Sequence, residues 1–194
     1  WEFLTRYTNS PWLVIDDPGS AKHGLFARDE AEKSLCYDLE KAAVTELIVG
    51  KSKPALIGSF KLSDGTKVVP AFQHIVEEFL GDGYELTKVE KETGIKAIDI
   101  ERIAAEMAEV AFSEEIIIDQ KWTDSYGNEH DQFIGRPVSF HAMRGIAAHK
   151  NGFETCRMIH LLQMLLGAID GPGSFLYKPP FPRPTPPHKK NATA

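Results

Sequence analysis

The amino-acid sequence predicts an α/β fold, and three observations carry that prediction. Apolar residues recur at helical spacing in residues 70–80, 97–112 and 153–168. Between the helical stretches lie short apolar runs joined by turn formers, Asp64-Gly65 and Gly127-Asn128 among them. Residues 137–142, PVSFHA, read as a short buried strand that passes through MRGIAAHKNG (143–152) into the last helix. The expected architecture is therefore Rossmann-like strand-loop-helix units with hairpin insertions.

Taken in order, Trp1, Phe3 and Leu4 read as core residues at the very first positions, with no initiator Met and no basic-then-apolar leader. The expectation is a piece of a longer protein. Trp12–Ile15 is apolar and β-branched enough for a strand, stopped by Asp16-Asp17-Pro18-Gly19. Residues 20–53 carry weak signals. Residues 55–69 read as a hairpin, because Asp64-Gly65 supplies the positive φ that such a turn needs. Pro70 opens a helix at the position where its missing N–H costs least, and Phe72, Ile75, Val76, Phe79 and Leu80 share one face. A shorter helix spans about 84–93 and stops at Gly94. A third covers 97–112, with Ile100, Ile103, Met107 and Val110 facing inward. Ile116-Ile117-Ile118 starts a second hairpin, turned at 125–128, which reads as a surface insertion. The helix at 153–168 is apolar around most of its circumference, which implies burial on more than one side. Residues 1–176 are read as one partial α/β domain and the proline-rich 177–194 as an extended tail or linker.

Charge narrows the function classes. Lys and Arg total 22 against 28 Asp and Glu, a net charge of −6, which argues against nucleic acid as a partner. No apolar run approaches a membrane span, so direct membrane insertion is not expected. Two cysteines, Cys36 and Cys156, provide neither a disulfide framework nor a thiolate-rich metal site. No metal-ligand set and no catalytic residue is read from the chain. Glu77-Glu78, Glu114-Glu115 and Asp16-Asp17 are adjacent pairs whose side chains diverge. Ser139 lacks the GxSxG setting of a nucleophile. His141 and His160 read as structural, while His149 stands between surface and cofactor contact.

The 143–152 loop concentrates the candidate chemistry. Asn151 fits an N-cap and Glu154 completes a capping-box pattern, so the helix start favours anions. Gly145 and Gly152 permit close backbone approach, and Arg144 suits a phosphate or a fused ring. Spacing alone leaves a second reading open, a capped helix with a surface arginine. GxGxxG is absent.

Several stretches resemble one family. YTNSPWLV (7–14), GLFARD (24–29), TGIKAIDIERIAAEMA (93–108) and GRPVSFHAMRGIAAHKNGFETCRMIHLLQMLLGAIDGPGS (135–174) resemble the molybdopterin oxidoreductases of the dimethyl sulfoxide reductase family. The matches keep the family's order up to about residue 184. With WTD (122–124) and YKPPFPRP (177–184), they look closest to the branch of tetrathionate, thiosulfate and polysulfide reductases and sulfite dehydrogenases.

The resemblance implies a central fragment of a catalytic subunit whose substrate is an inorganic sulfur compound, the fragment being inactive alone. It implies molybdopterin guanine dinucleotide with molybdenum, faced by Met143, Arg144, Gly145, Ala148, His149, Asn151 and Gly152. Many family members carry glycine at the position of Arg144 and glutamine at that of Ala148. An iron–sulfur cluster is implied for the parent, with ligands outside this chain; Cys36 and Cys156 do not match them. Implied partners are the remainder of the catalytic polypeptide and an iron–sulfur electron-transfer subunit together with a membrane anchor subunit, on the cytoplasmic or periplasmic face of a bacterial or archaeal membrane. The competing expectations are a non-catalytic α/β nucleotide-binding or interaction module, and a scaffold domain whose apolar loop-and-helix face packs on a partner.

Overall fold

The computed structural model describes residues 1–124, 126–142 and 144–174. The expected tail at 177–194 lies outside them. Helices and strands are mixed along the chain, as an α/β fold requires.

A short helix, α1 (Glu2–Tyr7), comes first. Leu4 faces inward, but Trp1 is 73% exposed and only sets its ring edge-on to Phe72 at 6.0 Å. The reading of Trp1 as core is corrected: it stands at the N-cap, outside the helix.

The main sheet holds β1 (Leu13–Ile15), β4 (Phe60–Lys61) and β5 (Lys67–Pro70), with β5 in the centre and both pairings antiparallel. Leu13 lies opposite Pro70 and Ile15 opposite Val68. The β4–β5 hairpin turns where expected. Gly65 takes a φ of +87°, and the Asp64 carboxylate accepts the Thr66 N–H at 2.9 Å. The strands are shorter than 55–69, because residues 55–59 bury Ala55 and Leu56 from a loop. The weakly signalled 20–53 contains a further hairpin, β2 (Leu35–Asp38) and β3 (Ala43–Glu46). Its turn forces Ala42 to a φ of +50°, and Asp38 accepts the N–H groups of Glu40 and Lys41 at 3.0 and 3.3 Å.

Three helices follow: α2 (Ala71–Phe79), α3 (Leu86–Thr93) and α4 (Ala97–Ser113). Pro70 closes β5 and caps α2 in one residue. Gly94 ends α3 with a φ of +76°, a left-handed stop for which glycine has no steric penalty. Of the residues expected to face inward from α4, Ile103 is instead 47% exposed, and the helix is anchored nearer its end by the fully buried Ala111. The second hairpin is a nested pair. β6 (Ile116–Ile118) pairs with β9 (Phe133–Gly135), and β7 (Trp122–Thr123) with β8 (Glu129–His130) inside it.

Residues 137–142 form no strand, which corrects the reading of this stretch as a buried strand. Pro137 has no N–H for a ladder, and the Val138 N–H donates locally to the Arg136 carbonyl at 2.8 Å. Val138 is buried and Phe140 half-buried, but Ser139 and His141 are exposed, so His141 is no core strand residue. Every strand pairing among the described residues is antiparallel, so no parallel crossover unit is built from them.

The last elements are α5 (Arg144–Ala147) and α6 (Gly152–Leu166), the latter stopped by Gly167 at a φ of +66°. Only Gly152, Gln163 and Leu166 of α6 are buried, and Phe153 is 78% exposed. The expected all-round burial of this helix is corrected: α1, α4 and α5 pack on it, but Phe153 and Leu162 stay exposed.

Three apolar clusters hold these parts together. Leu13, Ile15, Ala27 and Val68 lie under the main sheet. Leu4, Leu56 and Phe72 join α1 to α2 and reach Met164 and Leu165 of α6. Ala111, Val138, Leu166 and Ala168 join α4 to α6. The last two clusters hold α6 from two sides and so fix the direction in which its N-terminus points. Among the described residues, no helix is long and apolar enough to cross a membrane.

Candidate functional site

The loop expected to carry function is partly helical. Arg144–Ala147 coil as α5, then Ala148, His149, Lys150 and Asn151 turn the chain into α6. Met143 lies outside the described residues. Arg144, Gly145, Ala148, His149, Lys150 and Asn151 are all exposed, so the structure brings six neighbouring positions to one open surface. Gly152 alone is buried.

The two glycines have different causes. A Cβ on Gly145 would meet nothing within 4 Å. A Cβ on Gly152 would lie 2.5 Å from the Ala147 carbonyl carbon and 2.8 Å from its Cα, and closer still to its oxygen. Gly152 is glycine because α5 and α6 meet there backbone to backbone, not because a ligand must approach. Its N–H is already spent on the His149 carbonyl at 2.9 Å.

The expected capping box does not form. Asn151 occupies the N-cap position, but with φ −101° and ψ 18° and no side-chain cap bond. A capping side chain needs extended backbone to reach the N–H groups of the first turn, and the tight 149–152 turn denies it that. Glu154 pairs instead with Arg157 at 3.3 Å, and the Thr155 hydroxyl donates to the Asn151 carbonyl at 3.0 Å. The helix start keeps its dipole but loses its side-chain cap.

The donor chemistry of the loop suits an anion. Arg144 and Lys150 are exposed cations that make no ion pair among the described residues, and His149 adds an exposed imidazole beside Lys150. A phosphate-bearing group fits this set, with Gly145 as the open backbone position. His160 lies further along α6, and its Nδ1 is 2.9 Å from the Gln163 side-chain oxygen, which matches a structural rather than a ligand role. Cys156 is half-buried and Cys36 fully buried, both as free thiols; burial pushes the Cys36 thiol up. Among the described residues no cluster of His, Cys, Asp or Glu is arranged to hold a metal ion.

Sequence reasoning gave no role to Asp124, which organises the surface hairpin. Its carboxylate accepts the N–H groups of Tyr126 and Asn128, each at 2.9 Å, and the Asn128 side-chain amide at 3.0 Å. His130 Nε2 lies 3.2 Å away and the Tyr7 hydroxyl 3.5 Å away, so the hairpin is tied to α1. Burial opposes the charge, but these donors outweigh it and hold the carboxyl well below the usual carboxylate range. His130 also stacks on Trp122, with ring centroids 4.5 Å apart. The available signal was an Asp at the head of a turn, two residues before Tyr126 and four before Asn128.

Compared with known proteins, the chain matches no family model. A curated protein from Allochromatium vinosum, named as a sulfite dehydrogenase subunit, is 42% identical to it over 198 residues, covering 97% of this chain. The chain spans only 20% of that relative's length.

Proposed function

We propose that this chain is part of the catalytic subunit of an oxidoreductase acting on an inorganic sulfur compound, with sulfite as the first candidate. The observation that carries the proposal is the 42% identity to the sulfite dehydrogenase subunit, sustained over nearly the whole chain. The resemblance to the dimethyl sulfoxide reductase family points the same way and supplies the cofactor, a molybdopterin guanine dinucleotide with molybdenum. When bound, that group would supply the two-electron redox chemistry.

In this reading the chain's own task is positional. Arg144 and Lys150 bind anionic phosphates by charge-assisted hydrogen bonds. Gly145 leaves room for close approach, and His149 and Asn151 donate or accept at the rim. Ala148 offers a small apolar contact. Gly152 holds α5 against α6, so that the loop presents these groups together. A membrane anchor, an iron–sulfur cluster and an electron-transfer subunit would belong to the rest of the assembly.

The test uses the full-length gene product, purified anaerobically. The proposal predicts stoichiometric molybdenum, a guanine nucleotide released on denaturation, and sulfite-dependent reduction of an artificial electron acceptor. A full-length product without molybdenum and nucleotide would instead favour the non-catalytic interaction module. Thiosulfate- or tetrathionate-dependent turnover without sulfite turnover would keep the enzyme class and change the substrate.

A further inference from the structure

A cleft of about 340 Å³ opens between α1, the loop that follows β1, the end of β3 and Tyr126; no residue of 144–152 lines it. Arg6, Arg28 and Lys33 line it, with Glu46, Trp12 and Tyr126 among its other walls. Glu46 answers Lys33 and Glu2 answers Arg6, which leaves the Arg28 charge uncompensated on a chain whose net charge is −6. We propose that this cleft is a binding site for a small oxyanion of the sulfite, sulfate or phosphate class.

Arg28 is the centre of the argument. Its guanidinium lies 5.5 Å from the Trp12 ring centre, donates to the Glu32 carbonyl at 2.8 Å, and reaches the Ser34 hydroxyl at 3.3 Å. These contacts orient the side chain, so ordering it on a ligand costs little further entropy. None of them neutralises it: among the described residues Arg28 has no carboxylate partner. The other two cations are each answered, Arg6 by Glu2 at 3.2 Å and Lys33 by Glu46 at 2.8 Å. Glu46 therefore acts as an internal anion that a ligand must compete with for Lys33.

The walls select the ligand class. Arg28 lies over the Trp12 ring at 5.5 Å and Phe26 meets that ring in a T-shaped contact at 5.2 Å, so the cation already occupies the aromatic surface that a heterocycle would stack on. A compact anion that takes its hydrogen bonds from a guanidinium and an ammonium meets the cleft's chemistry better than a nucleotide base. This inference goes beyond the proposed function and does not rest on it, because an oxyanion site stands whether or not the parent carries a redox cofactor.

The experiment is calorimetric titration of the protein with sodium sulfite, sulfate and phosphate, at ionic strength held constant with chloride. Saturable binding of at least one of the three is expected. Arg28→Gln should weaken it by about tenfold, the loss of one charge-assisted contact. Glu46→Gln should tighten it by freeing Lys33, and Lys61→Gln, on exposed β4, should leave it unchanged. Circular dichroism reports whether Arg28→Gln folds; if it does not, Glu46→Gln decides alone. No saturable heat with any of the three anions would overturn the proposal. So would equal weakening by Arg28→Gln and Lys61→Gln, or binding that Glu46→Gln leaves unchanged. A preference for sulfite would support the site and link it to the proposed substrate.

Discussion

Replacing Gly152 by alanine tests how the loop is built. The added methyl would stand 2.5 Å from the Ala147 carbonyl carbon, whereas ordinary contact begins near 3.4 Å. Backbone must retreat by about 1 Å, and it is backbone held at both ends, by α5 and by the buried N-terminus of α6. Overpacking of this kind costs about 1–3 kcal/mol. Alanine recovers up to about 1 kcal/mol of helix propensity over glycine, less at the first helical residue than in the interior. The net expectation for Gly152→Ala is a loss of about 1–2 kcal/mol, read as a lower midpoint in urea with an unchanged slope. Gly145→Ala is the internal control, since the same methyl meets nothing within 4 Å there. It should be neutral or slightly stabilising. Equal stability of Gly152→Ala and the wild type would show that α5 does not lie against α6, and the presentation of Arg144 and His149 argued from that contact would fail.

Arg144→Ala in the full-length protein should lower retention of the proposed cofactor about tenfold or more, from the loss of a charge-assisted contact, while thermal stability is unchanged because Arg144 is exposed and makes no ion pair among the described residues. Asp124→Asn should lower the melting temperature at neutral pH and flatten its fall in acid. The native carboxyl titrates below its unfolded value, so its contribution is complete above about pH 4–5 and is lost as pH drops further toward the folded value; melting curves from pH 7 to pH 3 measure this. Phe153→Ser should reduce concentration-dependent self-association in sedimentation, since Phe153 is 78% exposed on an apolar helix. Elemental analysis of the 194-residue chain alone should find neither stoichiometric iron nor molybdenum, because its two cysteines cannot supply the thiolates of a cluster.

Helices α2, α3, α4 and α6 were legible because their signals are local; α1 and α5, each under two turns long, were not. Pro70 before α2, Gly94 after α3 and the spacing of apolar residues along α4 and α6 each act within a few residues, and the elements begin and end close to where those residues predict. The 60–70 hairpin was legible for the same reason, through Asp64-Gly65. The β2–β3 hairpin was not, because its turn uses Ala42 at positive φ, a residue that carries no turn signal. Residues 137–142 misled because their apolar residues read as a short buried strand, while Pro137 removes a donor that a ladder would need. At the candidate site, composition identified the exposed cations and the open Gly145. It did not separate Gly145 from Gly152, since only the approach of Ala147 does that, and it did not foresee α5 turning Asn151 away from a capping geometry. Asp124 escaped because its importance lies in how many donors converge on it, which depends on Tyr7, 117 residues away.

The proposal that the 144–152 loop faces an anionic cofactor is tested most directly by amide hydrogen exchange on the full-length protein, prepared with and without the proposed cofactor. Peptides covering Arg144–Asn151 should exchange more slowly in the loaded protein, while those covering the exposed β6 strand (Ile116–Ile118) should not change. Unaltered exchange at 144–151, alongside slowing elsewhere in the protein, would contradict the account and leave the loop as a connector between α5 and α6.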